Sequence, residues 1–137
     1  TLIGIKNNNT VIAYSDVPEN HKTTLNHYVR GTFSDSLHIL PIQNTLSFNH
    51  KRILVVDSVG IYKTAIHPEI VVIIQNPKIN LVRLIKEIKP KLILADKSNY
   101  KTTIQLWKAT CRKEKIPPVI YRQSHAQLQL TTAAGFN

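Results

Sequence analysis

The chain has 137 residues, 42% of them hydrophobic and 7% aromatic, with a formal net charge of +10. That length predicts one domain, residues 1–137, with enough apolar material for a core without staples, and no run of ~18 apolar residues is present to cross a membrane as a helix. A single cysteine, Cys111, excludes an internal disulfide and any multi-thiolate metal site, and the lack of Met together with the start at Thr1 predicts a piece excised from a longer protein.

Leu2-Ile3-Gly4-Ile5-Lys6 and Thr10-Val11-Ile12-Ala13-Tyr14 flank Asn7-Asn8-Asn9, residues that tolerate positive φ, so the opening reads as a β-hairpin. Ser15 or Asp16 ahead of Pro18 and Glu19 marks a helix start, because proline suits the first turn and an acid suits the positive end of the helix dipole. Leu25, Tyr28 and Val29 give that helix a modest apolar face, and Gly31 is its expected terminator. Short strands are expected at 37–42, 45–48 and 52–56.

Val71, Val72, Ile73 and Ile74 then form a β-branched run of the kind buried on both faces of a sheet. Beyond Gln75-Asn76-Pro77, Asn80 is placed to cap a helix on which Leu81, Leu84, Ile85 and Ile88 recur at i, i+3, i+4 and i+7, and Pro90 ends it. Leu92, Ile93, Leu94 and Ala95 make a second buried strand. Ser98 or Asn99 is the expected cap of a second helix, with Tyr100, Ile104, Trp107 and Cys111 on one face, and Pro117 closes the unit. The class is therefore α/β, a strand-rich N-terminal half followed by β-α-β-α with parallel strands and right-handed crossovers. Leu128, Leu130 and the neighbouring threonines offer one more strand, although residues 118–137 carry no functional weight.

The positive charge is localised. Between Lys78 and Lys115 eleven basic residues stand against three acids, which leaves eight of the ten excess charges in that segment. On the second helix Lys101, Lys108, Arg112 and Lys115 are spaced to form a stripe beside the apolar face, the arrangement that attracts a polyanion by counterion release. A solvated face, or attraction to an anionic membrane surface, would give the same pattern.

Catalytic patterns are sparse. The six histidines show no HxH, HxxxH or HExxH spacing, and the four glycines make no phosphate loop and no G-x-S-x-G elbow. Asp57, after Ile53-Leu54-Val55-Val56, and Asp96, after Ile93-Leu94-Ala95, are the best candidates for active carboxylates, because ligands bind at strand ends in α/β sheets. A strand-terminal Asp serves equally well as a turn former or helix cap.

Residues 53–117 resemble the C-terminal soluble region of the ComEC competence family in its Bacteroidetes form. The likeness is closest in Gln75-Asn76-Pro77-Lys78-Ile79-Asn80-Leu81, Lys89-Pro90-Lys91, Ala95-Asp96-Lys97-Ser98-Asn99-Tyr100-Lys101 and Trp107-Lys108-Ala109-Thr110-Cys111. The resemblance implies a parent protein that is a polytopic channel carrying one strand of transforming DNA across the inner membrane. It also implies a metallo-β-lactamase-like fold, which in many members is regarded as a nuclease on the outer side of that membrane. On the family pattern Asp57 falls where active members end a strand in a metal-bridging Asp. Gln75 and Asn76 stand where those members carry the paired histidines of a His-His-Gly-Ser turn, and no HxHxDH motif precedes them. Side-chain amides are poor substitutes for imidazole at a zinc site. After Ile116-Pro117 the chain departs from the family's Phe-His pair and Gly-Ala step.

The resemblance thus implies a degenerate metallo-β-lactamase-like domain, with no catalytic residue, metal or other cofactor, on the periplasmic side of an inner-membrane protein. The expected function is electrostatic guidance of single-stranded DNA, with Lys97, Lys101, Lys108, Arg112 and Lys115 holding phosphates. Tyr100 or Trp107 would stack a base if exposed, although aromatics on an apolar stripe are more often core. The expected partners are single-stranded DNA and the transmembrane part of the same parent, with no small-molecule substrate. Two alternatives remain open: a residual metal-dependent nuclease using Asp57 and Asp96, and a structural domain that braces the membrane part or binds a partner.

Overall fold

In the computed structural model, which describes residues 2–15, 18–48, 50–62, 65–116 and 120–121, the alternating segment at the start folds as the expected hairpin. Strands β1 (Leu2–Asn7) and β2 (Thr10–Ser15) pair antiparallel from Leu2 opposite Ser15 to Asn7 opposite Thr10. Asn8 takes the left-handed conformation at the turn, at φ 53°, which asparagine tolerates better than most residues. The chain then makes a 3₁₀ turn at Pro18–His21, continues as α1 (Lys22–Gly31) and returns as β3 (Ser36–Pro41), parallel to β2. The sheet order is β1-β2-β3. These elements form the first of two compact units, Thr1–Gln43, and Val11, Ala13 and Leu25 are its buried apolar residues among those described.

Two details of α1 differ from expectation. Ser15 is the buried last residue of β2 rather than a helix cap, Asp16 lies outside the described residues, and His21 precedes the helix without a side-chain cap bond. Gly31 is the last residue of the helix but not the left-handed residue of its stop. The left-handed residue is Phe33, at φ 52°, and the Phe33 and Ser34 N–H groups donate to the Arg30 and Val29 carbonyls at 3.2 and 3.0 Å. That is the Schellman pattern shifted two residues downstream of the glycine.

The second unit, Asn44–Asn137, holds a five-stranded sheet in the order β4-β5-β6-β7-β8. Its strands are β4 (Thr45–Phe48), β5 (Lys51–Val56), β6 (Ile70–Ile73), β7 (Leu92–Ala95) and β8 (Ile120–Tyr121). The first pair is antiparallel and the other three are parallel, with α2 (Leu81–Ile88) between β6 and β7 and α3 (Lys101–Lys113) between β7 and β8. The protein is thus mixed α/β, with the β-α-β-α order expected for its second half.

Register explains the core. Leu54, Val71 and Ile93 lie side by side across β5, β6 and β7, as do Val56, Ile73 and Ala95. All six join one buried cluster with Leu81, Leu84, Ile85 and Ile88 of α2 and Ile104, Trp107 and Cys111 of α3. Ile53, Val55 and Ile70 point to the opposite face and are buried as well, which is why β5 and β6 are continuous apolar runs without alternation. The further strand suggested by Leu128 and Leu130 lies outside the described residues.

Candidate nucleic-acid interface

Parallel strands β5, β6 and β7 end on one edge of the second sheet, and each is followed by polar residues. After β5 comes Asp57-Ser58, after β6 Gln75-Asn76, and after β7 Asp96-Lys97-Ser98-Asn99. Both carboxylates are engaged in turns. Asp57 Oδ1 accepts the Val59 N–H at 3.0 Å, and its carbonyl accepts the Gly60 N–H at 2.9 Å. Gly60 has φ 72° and packs so close to the next loop that an added Cβ would sit 3.2 Å from Ile79 Cγ2. Asp96 Oδ1 accepts the Ser98 N–H at 3.0 Å and the Ser98 hydroxyl. The strand-end acids therefore act as turn formers.

The second helix begins in this edge. Its N-cap is Tyr100, without a side-chain cap bond, so neither Ser98 nor Asn99 caps α3 as expected. Both face back toward β6 instead: the Gln75 N–H donates to Ser98 Oγ at 2.7 Å and the Asn76 N–H to Asn99 Oδ1 at 3.0 Å. Tyr100 is 68% exposed whereas Trp107 is 5% exposed, so the two aromatics on the predicted stripe divide between surface and core.

At about 100° per residue, Ile104, Trp107 and Cys111 fall within an arc of about 60°, and Lys101, Lys108 and Arg112 within an adjacent arc of about 40°. The burial agrees with that geometry, with Lys101 and Arg112 exposed and Lys108, nearest the sheet side, partly covered. Lys97 is exposed in the turn before the helix. Lys115 is exposed but leaves the stripe, because α3 ends at Lys113 and Lys115 is left-handed at φ 56°. Its N–H and that of Ile116 donate to the Arg112 and Cys111 carbonyls at 3.3 and 3.0 Å, a Schellman stop that turns the chain away. Among the described residues none of Lys97, Lys101, Lys108, Arg112 and Lys115 has an ion-pair partner, unlike Lys22, Lys51, Arg83 and Lys91.

The rise from Lys101 to Arg112 is about 16 Å, the length of about five stacked nucleotides. The flank begins beside exposed Tyr100 at the carboxyl edge of the sheet, the place where α/β sheets bind ligands. A family model described as the ComEC C-terminal domain matches residues 1–129. The chain belongs to that family. Membership links it to competence DNA uptake and to a membrane-embedded parent protein. Among the described residues of this ComEC domain, no helix is long and apolar enough to cross a membrane. Comparison with curated proteins and with solved structures gives no match.

The strand-end residues do not fit the metal centre that the resemblance implies for active members. Gln75 and Asn76 offer amides where imidazoles would be needed, and the Asn76 amide oxygen already accepts the Tyr100 N–H at 3.1 Å. Among the described residues no group of three or more His, Cys, Asp or Glu side chains is placed to hold a metal ion. What the sequence did not disclose is the role of Asn99, which is 3% exposed. Its signal was the density of Asp, Ser and Asn directly after a strand, a pattern that helix caps share.

Proposed function

We propose that this domain guides single-stranded DNA in an uptake channel, binding the backbone along α3 without cleaving it. The observation that carries the reading is the one-sided flank of Lys101, Lys108 and Arg112, which has no ion-pair partner among the described residues and starts beside exposed Tyr100 and Lys97. Cations that no carboxylate neutralises release counterions when a phosphate replaces solvent, so they bind a polyanion regardless of sequence. Tyr100, with its ring exposed between Lys97 and Lys101, supplies a face on which an unpaired base stacks, which favours single strands over duplex. Lys115, exposed just past the end of α3, adds positive charge outside the helical stripe. The engagement of Asp57 and Asp96 in turns supports guidance over residual nuclease chemistry. The resemblance supports placement on the outer face of the inner membrane, next to the transmembrane part of the same parent.

A salt titration tests this reading. Affinity for a single-stranded oligonucleotide should fall with salt at about −0.7 per neutralised phosphate on a log-log plot, and replacing Lys101, Lys108 and Arg112 by Ala should flatten the slope by about two units. If the parent protein fails to bind at low salt, or the triple variant binds as tightly, the flank is not the binding surface.

A further inference from the structure

The loops that leave β5, β6 and β7 are bonded to one another by side chains that the DNA reading does not use. Ser58 N–H reaches Gln75 Oε1 at 3.4 Å, Gln75 N–H reaches Ser98 Oγ at 2.7 Å, and Asn76 N–H reaches Asn99 Oδ1 at 3.0 Å. Asn99 Nδ2 in turn donates to the Ile73 and Asp96 carbonyls at 2.7 and 3.0 Å, and Asn76 Oδ1 accepts the Tyr100 N–H at 3.1 Å. We infer that this network is a metal-independent clasp, in which Asn76 and Asn99 fix the strand-end loops at the place where the implied fold would use metal ligands, and thereby position the first turn of α3.

Three observations support it. Asn99 is 3% exposed, and both its amide hydrogens and its oxygen are used, so it is a buried polar group with its capacity met. Gln75 and Asn76 are consecutive left-handed residues without being glycine, at φ 59° and 51°. Such backbone persists only where its surroundings over-determine it, and here both N–H groups are held by the β7–α3 turn. Last, α3 has no side-chain N-cap, and the N–H of its capping residue is bonded instead by Asn76, 24 positions earlier in the chain. Asn76 Oδ1 and Asn99 Oδ1 each spend a lone pair on a backbone N–H, and a neutral amide oxygen is a poorer ligand than imidazole, which is the physical content of the misfit with a metal centre.

Nuclear magnetic resonance on the full chain tests the clasp in two ways. Asn76→Gly keeps a residue at ease with positive φ and deletes only the amide side chain. It should raise hydrogen exchange at the Tyr100 N–H about tenfold while leaving the α2 amides unchanged. In the parent, which needs no variant to fold, excess manganese(II) should not selectively broaden the amide signals of Asp57, Gln75 and Asp96. Unchanged exchange at Tyr100, or selective broadening at those three positions, overturns the clasp. Neither readout involves DNA, so failure here leaves the guidance reading standing, and failure of that reading leaves the clasp standing.

Discussion

Helices α2 and α3 contribute to one apolar cluster on the second sheet, yet they are stabilised by different means. In α2 the devices are local. Asn80 Oδ1 accepts the Arg83 N–H at 3.1 Å, Arg83 pairs with Glu87 at 2.7 Å, and the helix stops at left-handed Lys89, whose N–H bonds the Ile85 carbonyl at 2.8 Å. The bonded Glu87 carboxylate holds the Arg83 guanidinium above its ordinary pKa. Longer α3 has no side-chain cap, and its cations are unpaired among the described residues. Its order comes from Trp107, Ile104 and Cys111 in the core and from Asn76 at its start. The contrast teaches that α3, started by a group from a distant loop, carries its unpaired cations together on one flank, whereas the arginine of α2 is tied to a glutamate of its own helix.

The largest effect that would sharpen this contrast is truncation of the α3 anchor. Trp107→Ala should lower unfolding free energy by ~3–5 kcal/mol in urea denaturation, as for a large core aromatic that leaves a cavity. A loss under ~1 kcal/mol would mean that α3 does not depend on the core as described. Next comes the α2 cap. Asn80→Ala should cost ~1 kcal/mol by the same measurement, because one helix N–H loses its acceptor. The same loss in DNA affinity would contradict the division of roles, since α2 takes no part in the proposed binding. The smallest effect is expected from Glu87→Gln: an exposed pair at i, i+4 is screened by solvent, so the denaturation midpoint should hardly move and should respond to salt less than in the parent. If Glu87→Gln instead steepened the salt dependence of DNA binding, Arg83 would belong to the binding surface once freed.

Much of this architecture is legible in the amino-acid sequence. The period-3.6 spacing of Leu81, Leu84, Ile85 and Ile88 and the Asn80 cap both appear as expected, and the run Leu92–Ala95 is β7. These features are local: apolar periodicity and capping depend on neighbours within one turn or one strand. Family membership was legible too, from motifs around Gln75-Asn76-Pro77 and Ala95-Asp96-Lys97-Ser98.

Where the sequence misled, local helix stops account for two cases and bonds between distant loops for the third. Lys115 fits the stripe by spacing alone, but Ile116 packs against the core and the Schellman stop takes Lys115 out of the helix. Ser98 and Asn99 look like caps for the helix that follows, yet they bond to residues 23 positions earlier in the chain. Gly31 looks like a terminator, but the left-handed position falls on Phe33.

The sequence by itself determined the α/β class, the order of the second unit, the apolar faces of its helices and the concentration of positive charge, because each follows from residue type and short-range spacing. Only the tertiary structure decided that Tyr100 is surface, that Lys115 lies past the end of the helix, and that Asn76 and Asn99 meet across two strand ends. The meeting of Asn76 and Asn99 depends on the pairing of β6 with β7, which brings residues 23 positions apart within hydrogen-bond distance, whereas spacing within one helix or strand carries no such information.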